Sequence, residues 1–76
     1  MKAILIDAKP AATGDHVVVL AYVPVNNEHV TWVAPRHPMV QAAQGDLFDS
    51  DACGCANGHY ERSLHSAAQE FALRIL

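Results

Sequence analysis

An α+β fold is predicted by three features of this 76-residue sequence. Two β-branched apolar stretches, His16 to Val23 and His29 to Pro35, flank an Asn26-Asn27 pair, the pattern of a β-hairpin. Leu64, Ala67, Ala68, Phe71 and Ile75 recur at helical spacing behind Ser63, which suits an N-cap. Between these regions, Asp46 to Gly58 is rich in Asp, Ser, Gly and Asn and has the composition of a loop. The expected architecture is a three- to four-stranded antiparallel sheet packed against one C-terminal amphipathic helix, with a short helix and a long acidic loop before it.

Lys2 to Ile6 reads as the first strand, ended by Asp7-Ala8-Lys9-Pro10 and a small-residue loop through Asp15. His16 to Val23 is apolar on both alternating faces, as expected of a central strand with cover on each side. A two-residue type I′ turn at Asn26-Asn27 would place Val25 opposite Glu28. Val23 then pairs with Val30, Ala21 with Trp32, and Val19 with Ala34. Those six residues form the expected core face, small against large, leaving Leu20, Tyr22, Thr31 and Val33 on the other. That second face is too apolar for open solvent and calls for a covering loop or an interaction partner. Met39 to Gln44, between Pro38 and Gly45, is the expected short helix. Leu47 and Phe48 anchor the acidic loop, and His59-Tyr60-Glu61 adds a short edge strand.

Length and composition narrow the function classes. The chain is one domain, residues 1–76, because a chain of this size has material for a single core. It is 51% hydrophobic and 17% charged, too apolar for a disordered chain. Its longest apolar run, Val17 to Val25, is interrupted by Pro24 and falls short of the roughly 18 residues a membrane span needs. Met1 to Ile6 reaches Asp7 without a secretory h-region, so the expected location is cytoplasmic, inside a host cell. The net charge is −3, and Lys2, Lys9, Arg36, Arg62 and Arg74 are scattered, which argues against direct nucleic-acid binding. The same charge suits docking on a basic protein surface.

The candidate constellations are few. Cys53-Gly54-Cys55 with His59 and His65 offers zinc-type ligands, but one intervening residue is short of the two to four that zinc knuckles use. Free thiols, a disulfide and a small Cys/His metal-binding or redox module all stay open. Asp49-Ser50-Asp51-Ala52-Cys53-Gly54 begins like a calcium loop, then fails at Cys53 and at Tyr60, where a bidentate Glu is required. It reads as a solvated acidic loop. No nucleophile elbow, phosphate-binding glycine loop or H-E-x-x-H occurs, so no catalytic residue, resident metal or cofactor is expected and the chain is not read as an enzyme. His37 beside Arg36 forms a local basic knob, and His16 and His29 begin strands.

The Asn57-Gly58 signal followed by His59-Tyr60-Glu61-Arg62-Ser63, running into Leu64 to Leu76, completes a single domain with a hairpin, an acidic loop and a closing helix. In size and order of elements the chain resembles the small proteins of phages and other mobile elements, of which anti-CRISPR proteins are the best-known group. The resemblance implies inhibition by binding: occlusion of a basic, nucleic-acid-binding surface on a CRISPR effector such as a Cascade complex. Three acids and an aromatic concentrated in one loop make Asp46, Phe48, Asp49 and Asp51 the candidate partner-binding residues, with Phe48 also able to serve as a core anchor. The alternatives are the Cys/His module and a dimeric structural or regulatory protein pairing through Leu20, Tyr22 and Val33.

Overall fold

The computed structural model describes residues 1–11, 14–39 and 42–75. Its elements are β1 (Lys2–Pro10), β2 (His16–Val23), β3 (Glu28–Pro35), α1 (Arg36–Met39), β4 (Leu47–Asp49), β5 (Ala56–Glu61) and α2 (Leu64–Ile75). The strands form one five-stranded antiparallel sheet in the order β4-β1-β2-β3-β5, with β2 central as its two apolar faces require. The α+β architecture and closing helix are those expected, while the sheet has more strands than the three or four anticipated. No helix is long and apolar enough to cross a membrane among the described residues.

The additional strand is β4, drawn from the acidic loop. It is only three residues long, too short for alternation to separate it from loop, yet it pairs with Lys2, Ala3 and Ile4 of β1. β1 itself runs past Asp7. A bulge at Ile6 shifts its register between Leu5 and Asp7, and the Asp7 carboxylate accepts the Ala8 amide at 2.8 Å, so the ladder resumes and reaches Pro10. Pro10 is tolerated because β4 covers only the Lys2–Ile4 end, leaving the other side of β1 without a strand there.

The β2–β3 hairpin departs from the expected register by two residues. Val23 pairs with Glu28, Ala21 with Val30, Val19 with Trp32 and Val17 with Ala34. Pro24 is the cause: it lacks an amide for the ladder, and its fixed φ suits the second position of a turn in which the Asn26 amide donates to the Val23 carbonyl. Val25 is expelled to the turn tip at 82% exposure, and Asn27 takes the left-handed conformation (φ 51°) that returns the chain to β3.

A slip of two preserves the faces, because side chains alternate with period two. Val19, Ala21, Val23, Val30, Trp32 and Ala34 therefore do share one buried face, joined by Ala3, Leu5 and Phe48. The small side chains of Ala3 and Ala21 let this face curl. Trp32 on β3 thus meets Phe48 on β4 edge-on at 6.1 Å, and meets Tyr60 edge-on at 6.2 Å. The cover here is Met39, Ala42, Cys53 and Cys55, supplied by the segment between β3 and β5.

The helix takes the opposite face, the one for which a covering loop or an interaction partner was expected. Ala67 and Phe71 bury against Val18 and Leu20, with Ile75 and Ile6 at the margin. Ser63 caps α2 as predicted, its hydroxyl accepting the His65 amide at 3.1 Å. Leu64 and Ala68, expected on the buried stripe, are exposed. The expected Met39–Gln44 helix is replaced by the single turn of α1 one step earlier; Ala42 and Ala43 are not helical, and Val40 and Gln41 lie outside the described residues. Asp46 competes for that turn, its carboxylate accepting the Ala43 amide at 2.9 Å.

β5 is longer than the expected His59–Glu61 and absorbs the Asn57-Gly58 pair as a bulge instead of a turn. Thr31 pairs with His59 and Val33 with Ala56, so Asn57 and Gly58 together oppose Trp32. Asn57 is left-handed (φ 56°). Gly58 is required by space, since a Cβ there would stand 2.9 Å from Nε1 of Trp32. Arg74, in the last turn of α2, fastens the bulge by donating to the carbonyls of Thr31 and Asn57.

Candidate protein-interaction surface

Two alternations place an uncovered strip at one side of the sheet. In β4, Phe48 turns in beside Ala3 while Leu47 and Asp49 turn out beside Ile4 and Lys2. In β1 and β2, Ile4 lies opposite Tyr22 on the same outer face. Helix α2 packs mainly on β2, β3 and β5 of that face, so the strip formed by Leu47, Ile4 and Tyr22 runs beyond its cover. Leu47 is 62% exposed, and Ile4 and Tyr22 are half-buried. Tyr22 is held in place by its hydroxyl, which donates to Asn27 at 2.8 Å, and by the His29 ring at 5.1 Å.

Carboxylates border this strip. Asp46 precedes Leu47 and is exposed; its backbone carbonyl accepts the Leu5 amide at 2.9 Å and so holds the loop against β1. Asp49 accepts hydrogen bonds from the Met1 α-ammonium at 3.1 Å and from the Asp51 amide at 3.0 Å. These donors, the ammonium first, hold the Asp49 carboxyl below its ordinary value. The same ammonium donates to Asp51 at 3.1 Å, and both carboxylates raise its own pKa. Asp51 nevertheless keeps 88% of its side chain exposed and stays available to an incoming cation.

Of the four candidate contact residues, Asp49 and Asp51 meet at one corner on the Met1 ammonium, Asp46 stands at the other end of β4 with its carboxylate on the Ala43 amide, and Phe48 is turned away from the surface. Phe48 is only 8% exposed and belongs to the core under Trp32. The exposed apolar residue of this corner is its neighbour Leu47. Once the segment is taken as a strand, alternation identifies it: only one of Leu47 and Phe48 then faces outward, and the aromatic is the larger gain on burial.

The other constellations do not converge. Cys53 and Cys55 are free thiols, half-buried against the Trp32 face. Burial, with the charges of Cys53 and Asp51 adding to it, pushes the Cys55 thiol up to about 11, away from a metal ligand or a reactive nucleophile. His59 pairs with Thr31 and projects to the helix face, where its ring nitrogens approach Glu61 at 3.1 Å and Glu70 at 3.5 Å. The sheet therefore separates His59 from the cysteines. No three His, Cys, Asp or Glu side chains are grouped to hold a metal among the described residues. The outer face weighed for dimerisation is largely occupied, as Leu20 lies beneath α2. Val33 is half-buried, and Tyr22 alone of those three belongs to the uncovered strip.

No family model, curated protein or solved structure matches the chain.

Proposed function

We propose that this chain is a small non-enzymatic binding protein of the anti-CRISPR kind, which occludes a basic, nucleic-acid-receiving surface on a larger effector such as a Cascade-type complex. The observation that carries this reading is β4 and its flanks, where the exposed Leu47 lies between Asp46 and Asp49 along the chain and Asp51 follows, its side chain 88% exposed. A basic channel supplies the complement: lysines and arginines for the carboxylates, and the apolar stems of those side chains for Leu47.

The test is capture of effector subunits by the tagged protein, run with an assay of effector binding to target DNA. The native chain is expected to retain the effector and reduce its DNA binding. Asp49→Lys with Asp51→Lys should weaken capture by about tenfold or more, since like charges then face the channel. Leu47→Ser, which removes the apolar contact without changing the charge, should also weaken capture while leaving the fold intact, because Leu47 is 62% exposed and contributes little to the core. Full capture by both variants refutes the assignment of this corner. Absence of effector capture by the native chain refutes the function, and a doubled mass by light scattering in its place supports self-association.

A further inference from the structure

We propose that a cleft lined by Arg36, at the opposite end of the sheet from the acidic corner, binds a small amphipathic carboxylate. The start of α1 is pinned across the entrance of β2 by the Arg36 amide, which donates to the Asp15 carbonyl at 2.9 Å. Arg36 lines two hollows. One, of about 480 Å³, is lined by Asp15, Pro35, Arg36 and His37. The other, of about 300 Å³, is lined by Ala8, Pro10, Val17, Arg36, Met39 and Ala42. Each falls within the size range of small-ligand pockets.

The chemistry of the linings selects the ligand. Among the described residues that line the second hollow, Arg36 is the one that is ionisable, and the others are apolar. Among the described residues no carboxylate lies within 4.0 Å of its guanidinium, so the fork of N–H donors is open to a ligand. A guanidinium over an apolar floor recognises a planar carboxylate through paired hydrogen bonds while the floor receives the ligand's hydrocarbon part. Asp15 borders the first hollow and repels an anion there, which directs the ligand into the second hollow, its carboxylate to Arg36 and its apolar body toward Val17 and Ala42. A simple inorganic anion would leave the apolar lining unfilled, and a neutral hydrocarbon would leave the guanidinium unpaired.

Benzoate is the probe, followed by amide chemical-shift titration of the full chain against benzyl alcohol and acetate. Saturable shifts are expected at Ala8, Arg36 and Ala42 with benzoate, and affinities about tenfold lower or worse for the other two probes. Arg36→Gln, an exposed substitution that leaves the core untouched, should weaken benzoate about tenfold and bring it level with benzyl alcohol. Ala42→Leu, which narrows the apolar hollow with Arg36 intact, should also weaken benzoate. Equal affinity for benzoate and benzyl alcohol overturns the role of Arg36. Shifts that do not saturate by about 20 mM, or that lie away from these residues, overturn the site.

Discussion

Replacement of Arg74 should cost far more than a surface arginine ordinarily does. Its Nη1 donates to the Thr31 carbonyl at 2.9 Å and to the Thr31 hydroxyl at 2.8 Å, and its Nη2 donates to the Asn57 carbonyl at 2.7 Å. Thr31 is fully buried, so its oxygens depend on this partner instead of on water. The β5 bulge is what frees the carbonyls, by interrupting the ladder between Thr31 and Val33. A hydrogen bond to a charged donor is worth about 1.5–3 kcal/mol, and these are partly solvated, so Arg74→Ala should lose about 2–3 kcal/mol in total. A 76-residue domain holds about 4–11 kcal/mol, which makes this a large fraction, equivalent to a fall in Tm of about 10–20 °C. Urea unfolding followed by Trp32 fluorescence measures it. Arg74→Lys should recover part of the loss, since one ammonium cannot reach both carbonyls in the same geometry. Thr31→Val should couple to Arg74→Ala by about 0.5–1 kcal/mol in a double-mutant cycle. A loss below about 0.5 kcal/mol for Arg74→Ala would show that water replaces the guanidinium at the bulge and that the clamp contributes no stability.

Further outcomes follow from the Trp32 face and its cover. Gly58→Ala forces a Cβ against Trp32 and Tyr60, both 2.9 Å from the position it would take, and should destabilise by about 1–3 kcal/mol. Asn57→Gly, which keeps the left-handed backbone and the carbonyl that Arg74 uses, should change stability by only a few tenths of a kcal/mol; equal urea midpoints for the two variants would remove the steric argument. Cys55, with its thiol raised to about 11, holds about a hundredfold less thiolate near pH 8 than an ordinary thiol, so iodoacetamide should modify it at least about tenfold faster in urea than in the folded chain. The linkage has the corresponding sign: the folded state retains a proton that the unfolded state releases, so stability falls as pH climbs from about 9 toward 11. Equal alkylation rates folded and unfolded, or a stability that is flat across that range, would contradict the burial of this thiol.

The elements with strong periodicity were legible in the sequence. The central position of β2, the hairpin and the Ser63-capped helix all follow from patterns that repeat over eight or more residues. What escaped depends on single-residue geometry. The turn at Pro24 changed the hairpin register, and Asn57-Gly58, read as a turn, became a bulge because Trp32 needed the space of a missing Cβ. Neither altered which side chains share a face: the hairpin slip is an even number of residues, so it moved partners without moving the core. The choice of which face the helix covers was not legible, because both faces of β2 are apolar and periodicity carries no sign for the direction of a crossover.

The candidate site was legible in its charge and misread in its apolar member for one connected reason. Treated as loop, the segment from Asp46 to Asp51 offered two large apolar residues and no rule to separate them. Treated as the strand β4, it has a face, and the register with Ala3 sends Phe48 inward and Leu47 outward. The carboxylates are thereby placed as well: Asp49 shares the outer face with Leu47, while Asp46 and Asp51 stand where the chain enters and leaves the strand. A short edge strand with a carboxylate on its outer face is also the form in which a sheet avoids pairing with other sheets edge to edge. The corner therefore discourages unselective strand addition and leaves side-chain chemistry, charge around one exposed leucine, as the means of recognising a partner.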